Sequence, residues 1–399
     1  MIRNILANKA TFITDQNEDA NFGECIALDL YKTLAGKKSR ILFSFNTSEV
    51  QIIDKAILIL KNIESYYDAP SDINLEICPI LTDWNEGSGR YQYPELYYNF
   101  DKGFCNWNYA KRNIEWTTPG GDYDDINKIT INLDKSSEDI NVDITSILSS
   151  GSLGLLIKFT DELEQDSEEY FIKRFEMPIL QVYYEDCFID KRNNFNFDES
   201  NDLYIYNLNP SMNINNVMAY INDIEYESSG SAPENAFHVL TEPILTSSSG
   251  YLSGTISEIW TDSLGNVLYS GSIDNYFGSL NNSFGQKDIY INFLECNNKT
   301  FENNDIIPIK FKMTEILKEG NVRSQNLIFT NMSYELVSVM NKEIIIPRDA
   351  TYTKFSFDSE YYYCRIFAED LQPGWYKLNL FNDGYKLQDF CQFYINPSE

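Results

Sequence analysis

Histidine occurs once in this chain of 399 residues, at His238 within Ala236-Phe237-His238-Val239-Leu240. A histidine-based triad would rest on that residue alone, with no serine or cysteine motif to support it. No GxGxxG ahead of a helix, no P-loop and no HExxH occurs, so the usual dinucleotide, nucleotide and zinc-protease signatures are missing. Basic residues are scarce: 31 Lys and Arg stand against 60 Asp and Glu, a formal net charge of −29. Phosphate binding needs clustered cations, so this balance argues against nucleic acid and against an anionic membrane surface as partners. No apolar stretch approaches the length of a bilayer span. The start, Met1-Ile2-Arg3-Asn4-Ile5-Leu6, lacks the apolar core and cleavage site of a secretory signal. The seven cysteines (Cys25, Cys78, Cys105, Cys187, Cys296, Cys364 and Cys391) are odd in number, scattered and without a CxxC pair. The expectation is neither a disulfide framework nor a zinc site, but reduced thiols filling strands in a protein folded in cytoplasm.

Large apolar side chains, in contrast, are plentiful. Hydrophobic residues make up 43% of the chain, with 28 Tyr and 25 Phe, which favours strands and several buried cores. Alternation puts Ile41, Phe43 and Phe45 on one face of a strand, with Leu42 and Ser44 on the other. Ala56 to Leu60 is apolar on both faces, as a strand inside a sandwich would be. Further alternating runs lie at Leu75 to Ile80, Lys128 to Leu133 and Ile140 to Ile144, and a helical turn is expected to close Val142 to Leu148. Gly154 to Phe159 and Met177 to Tyr184 complete a first domain over residues 1–190. The polar stretch Asp190-Lys191-Arg192-Asn193-Asn194 reads as a linker. Strand signals then recur at the spacing of small sandwiches, with a hairpin around Thr261 to Asn266. A boundary near Glu302 to Asp305 divides this half into domains at 195–300 and 301–399, each with about the strand count of an immunoglobulin-like sandwich. The expected fold class is all-β: a jelly-roll-like β-sandwich followed by two immunoglobulin-like β-sandwich domains.

Several motifs also carry a resemblance. Asn21-Phe22-Gly23, Arg40-Ile41-Leu42-Phe43-Ser44-Phe45, Ala56-Ile57-Leu58-Ile59-Leu60, Asp83-Trp84-Asn85-Glu86, Pro119-Gly120-Gly121-Asp122 and Val142-Asp143-Ile144-Thr145 follow one another in order. As an ordered set they resemble the DNRLRE-type, carbohydrate-binding-module-like β-sandwiches of bacterial surface proteins and phage structural proteins. The second half is similar to virion structural proteins of large tailed bacteriophages. Ser257-Glu258-Ile259-Trp260, Val267-Leu268-Tyr269-Ser270-Gly271, Ile344-Ile345-Ile346-Pro347, Thr351 to Ser356 and Leu371-Gln372-Pro373-Gly374-Trp375-Tyr376-Lys377 carry that likeness. The resemblance implies a non-enzymatic virion protein, made in the host cytoplasm. It would lie in the neck, tail, collar or baseplate, with other virion proteins and copies of itself as partners.

Three alternatives for chemistry stand beside that expectation. Asp83 and Glu86 flank Trp84, which suits a sugar subsite of a polysaccharide depolymerase, or else a corner whose tryptophan is core. Tyr91, Tyr93, Tyr97, Tyr98, Trp107 and Tyr109 share one irregular segment; they are candidate contacts for host-surface glycan, or rings that pack the loop or touch a protein. The loops Asp15-x-Asn17-x-Asp19-x-Asn21 and Gly120 to Asp125 are oxygen-rich enough for Ca²⁺, though the first has Ala20 where an EF-hand needs glycine. A solvated turn is the preferred reading of both loops, and no other cofactor is expected.

Overall fold

The computed structural model describes the chain outside residues 34, 49, 51, 64–72, 93–94, 98–103, 134–138, 149–152, 163–169, 193–194, 196–199, 206–216, 233–235, 244–254, 275–287, 318–322, 327–328, 330, 359 and 398–399. The protein is all-β, built from several antiparallel sheets. It divides into two compact units, Ile2–Tyr184 and Glu185–Glu399, the second also taking in Met1.

In the first unit a five-stranded sheet runs in the order Ile129–Leu133, Ile73–Pro79, Leu155–Phe159, Ser39–Ser44, Lys9–Thr14. A four-stranded sheet runs Ile2–Leu6, Ile179–Tyr183, Lys55–Leu60, Ile140–Asp143. Side chains alternate along each strand, so one set from each sheet meets in a common core. Ala10, Phe12, Ile41, Phe43, Leu75, Ile77, Leu155 and Ile157 come from the first sheet, and Ala56, Leu58, Leu60, Leu180 and Val182 from the second. Burying a side chain such as Phe43 stabilises by about 2–3 kcal/mol. A three-stranded sheet, Leu28–Thr33 with Tyr170–Phe175 and Asn62–Ile63, also belongs to this unit. The expected helical turn is present at Thr145–Leu148. The strand Lys55–Leu60 differs from the expectation of two buried faces: Ala56, Leu58 and Leu60 are buried, whereas Ile57 and Ile59 are half-buried.

Among the described residues the second unit holds four sheets. Asp202–Ile205, Ala236–Leu240 and Ser229–Ala232 form one; Ile224–Glu227, Val217–Ile221, Thr255–Asp262 and Val267–Asp274 form another. Leu203, Val217, Ala219, Ile221, Val239, Ile256, Trp260 and Ile273 share their core. The hairpin read at Thr261 to Asn266 is there. Asp262 accepts from the backbone N–H groups of Leu264 and Asn266, and Gly265 takes the left-handed conformation (φ 80°) that the turn requires.

The later strands pair as Asp288–Glu295, Ile306–Leu317, Tyr362–Phe367 and Ser356–Phe357 in one sheet. Lys299–Phe301, Tyr385–Ile395, Gly374–Asn382, Met332–Ser338 and Ile344–Ile346 make the other. The strand Asp288–Glu295 therefore belongs with Ile306–Leu317, and the expected division at 300/301 falls inside a paired region. The polar composition of Glu302 to Asp305 marks a turn there: Glu302 N–H donates to the Asp305 carboxylate, and Asp305 N–H to the Glu302 carbonyl. The Leu371 to Tyr376 corner closes as in immunoglobulin-like domains, the Tyr376 hydroxyl donating back to the Gln372 carbonyl at 2.6 Å.

Candidate functional site

The outer face of the five-stranded sheet is where most of the sequence candidates converge. Leu42, Ile13 and Leu156 point away from the main core, opposite to Ile41, Phe12 and Ile157 on the same strands. A long excursion of the chain covers them, and Trp84, Trp107, Trp116, Cys105, Ala110 and Ile80 pack down into a second apolar cluster. Trp84 is fully buried, and its indole N–H makes no hydrogen bond. The Lys9 ammonium donates to the Trp84 carbonyl at 3.1 Å. Trp116 donates from Nε1 to the Asn106 carbonyl at 2.9 Å, and the Asn106 side chain caps the backbone N–H groups of Asn108 and Tyr109.

Asn21 explains the Asn-Phe-Gly motif. Its fully buried amide donates to the carbonyls of Glu86 and Cys105, both at 2.7 Å, while Oδ1 accepts from the N–H groups of Gly89 and Gly23. One side chain thus fastens three separate stretches of backbone. The close approach is possible only beside glycine: a Cβ on Gly89 would lie 1.7 Å from the Asn21 carbonyl oxygen, and Gly87 has φ +101°.

Charge enters the same face. Arg40, nearly buried, forms a bidentate pair with Glu162 (2.8 and 2.6 Å) and donates to the Gly120 carbonyl at 2.7 Å. Its guanidinium lies over the rings of Trp107 and Tyr123, at 5.1 and 5.4 Å from their centroids. Burial works against the Arg40 charge, but the Glu162 carboxylate outweighs it and raises the Arg40 pKa. Alongside, Glu76 takes Lys158 at 2.5 Å and Lys128 at 2.8 Å. Burial pushes the Glu76 carboxyl up, and the two ammonium partners more than reverse this, holding it below the ordinary range. Arg40 thereby ties the sheet to the covering loop at Gly120, while Glu76 ties neighbouring strands of the sheet together.

The sequence candidates are placed as follows. Trp107 is 7% exposed, with the Arg40 guanidinium over its ring. Tyr109 is half-buried at the start of the short strand Tyr109–Lys111. Tyr91 falls in the short strand Arg90–Gln92 and Tyr97 in Glu95–Tyr97, while Tyr93 and Tyr98 lie outside the described residues. Asp83 pairs with Lys111 at 2.7 Å, whose hydrogen bond lowers its pKa, and Glu86 accepts from the Ala10 N–H at 2.6 Å. With Trp84 in the core, this matches the corner reading of Asp83-Trp84-Asn85-Glu86.

Several carboxylates of the oxygen-rich loops already have partners within the protein. Asp15 accepts from the Lys38 N–H, and Asp122 from the N–H groups of Thr117 and Thr118 and from the Thr82 hydroxyl. Asp124 accepts from Ile126, and Asp125 pairs with Lys128. Among the described residues no group of three His, Cys, Asp or Glu side chains converges as a metal site would require. His238 reaches Asp202 at 2.9 Å and stacks on Tyr204 at 4.6 Å.

A second polar centre lies in the other unit, and the sequence reading passed over it. Arg192, within the stretch read as a linker, forms a bidentate pair with Glu258 (2.8 and 2.7 Å) and also bonds Asp190 and the Tyr204 carbonyl. Asp190 and Glu258 are fully buried, and Trp260 donates from Nε1 to Glu258 at 2.5 Å. Burial first, with the Glu258 charge adding to it, pushes the Asp190 carboxyl up to about 6, against the pull of Arg192. The signal available in sequence was the charged Glu258 amid the apolar alternation of Ile256 to Trp260.

No family model matches the chain, and no curated protein matches it at a significant level. A solved titin structure aligns with 54% of this chain and 98% of its own, at 9% identity and a TM-score of 0.17. At that score the likeness carries no argument about function.

Proposed function

We propose that this chain is a structural protein of a tailed-bacteriophage particle, in the neck, tail or baseplate region. There it joins other virion proteins and copies of itself without catalysing a reaction. One observation carries the non-enzymatic part of this reading: the groups that chemistry would need are committed to scaffold contacts. Asp83 is held by Lys111, Glu86 by the Ala10 N–H, His238 by Asp202, and Trp107 by Arg40. The virion part rests on the resemblance of the ordered motifs in both halves. Exposed apolar side chains, among them Leu264 at 85% and Met340 at 81%, supply the sort of surface that repeated contacts in a symmetric assembly use.

The test is direct. Mass spectrometry of purified particles from the phage encoding this chain is expected to find it at fixed stoichiometry, and electron microscopy to place it at the neck, tail or baseplate. Particles that lack the chain altogether would overturn the reading. Cleavage of host polysaccharide by the purified chain would replace it with the depolymerase alternative.

A further inference from the structure

Two of the cysteines are not isolated fillers. Cys296 and Cys391 are both fully buried, 95 residues apart in sequence, with their Sγ atoms 2.8 Å apart. That separation is about 0.8 Å longer than a disulfide bond, so a modest side-chain adjustment would bring the sulfurs to bonding distance. The backbone around them is fixed from several sides. Cys296 follows the strand Asp288–Glu295 and has φ +82°, a conformation costly for any residue but glycine. Its carbonyl accepts from the Lys299 N–H at 3.0 Å. Asn298 N–H donates to the Gln392 carbonyl at 2.6 Å, and Gln392 N–H to the Asn297 side chain at 3.2 Å. This tight turn carries the chain out of the sheet containing Asp288–Glu295 and into the sheet where Lys299–Phe301 runs parallel to Tyr385–Ile395. A bond between the two sulfurs would staple that crossover to a central strand of the facing sheet.

We propose that Cys296 and Cys391 form a disulfide when the chain folds or locally opens in the presence of a small disulfide oxidant such as oxidised glutathione. The Cys391 thiolate attacks the oxidant, giving a mixed disulfide and releasing one glutathione thiolate. The Cys296 thiolate then attacks the Cys391 sulfur of that mixed disulfide and releases the second. Two thiol protons pass to water, two electrons reduce the oxidant, and one S–S bond forms. In the closed fold the neighbouring Cys391 thiol, and burial after it, disfavour ionisation of Cys296, so reaction belongs to open or folding chains. Cys364, buried on the strand Tyr362–Phe367, is the internal control. The inference stands on this geometry alone and is independent of the virion reading.

The experiment uses the full chain, unfolded with reductant and refolded in a mixed glutathione buffer, with a parallel sample of native protein held for days in the same buffer. Both are then quenched with acid, blocked with a maleimide and mapped by mass spectrometry. The expected result is a linked pair of peptides containing Cys296 and Cys391, retained in Cys364→Ala and lost in Cys391→Ala. The oxidised chain is expected to melt about 10 °C above the same chain with reductant, because a long loop is closed. Refolded chain whose seven thiols all remain blockable once it is denatured, or a bond that involves Cys364 instead, would overturn the proposal.

Discussion

At Asn21 one side chain satisfies two carbonyls and two N–H groups in a fully buried position, which uses the whole hydrogen-bonding capacity of an amide. Removing it leaves those backbone groups buried without partners, and unsatisfied groups cost more than the bonds themselves contribute. Asn21→Ala is expected to destabilise the first unit by about 3 kcal/mol, read as a lowered urea midpoint at unchanged slope. Asn21→Asp keeps the oxygen that faces Gly89 but sets a second oxygen against the Glu86 and Cys105 carbonyls, and is expected to be at least as damaging. A midpoint within error of wild type for Asn21→Ala would mean that water or backbone adjustment replaces the amide.

Much of the element-scale structure was legible because period-two alternation reports which face a strand buries. Ile41 and Phe43 face the main core as read, the hairpin after Asp262 is in place, and the helical turn stands at Thr145–Leu148. Alternation does not report whether the opposite face is also covered. Leu42 falls on the face opposite Ile41 and Phe43, and that face lies under a second core built from tryptophans in a segment without periodicity. Pairing across long gaps was equally hidden: Asp288–Glu295 pairs with Ile306–Leu317, across the expected division at 300/301.

The stretch from Asp190 was misread for a different reason. Charged composition suggested a solvated linker, but Arg192 neutralises part of two buried carboxylates there. Burial above all, with Glu258 sharing the one cation, makes Asp190 hold its proton up to about pH 6 in the folded state, against 3.8 as its ordinary value. Between these pH values the native chain binds more protons than the unfolded one, so this group's contribution to stability grows as pH falls through 6 and is lost as pH rises. Asp190→Asn cannot titrate. The stability difference between wild type and this variant is expected to shift in favour of wild type by about 2 kcal/mol from pH 7 to pH 4.5. Other carboxylates, such as Glu76, titrate in both proteins and cancel from the difference. A gap that stays constant with pH would show that Asp190 keeps its charge throughout.

At the scale of the whole molecule, the chain folds as two compact units, each with its own apolar clusters. Cooperativity follows shared core contacts, so a two-unit chain need not melt in one step. Calorimetry of the full chain is expected to resolve two transitions. Asn21→Ala should lower one of them and leave the other in place. Arg192→Ala removes the cation that Asp190 and Glu258 share, which typically costs about 3–5 kcal/mol, and should lower the other transition instead. This crossed design separates local loss of stability from a general loosening, because a general effect moves both transitions together. If either substitution shifts both transitions equally, the two units are coupled through contacts strong enough to make the chain one cooperative body. An assembly component of that kind would open as one body, whereas two independent units can each hold a separate neighbour while the other opens.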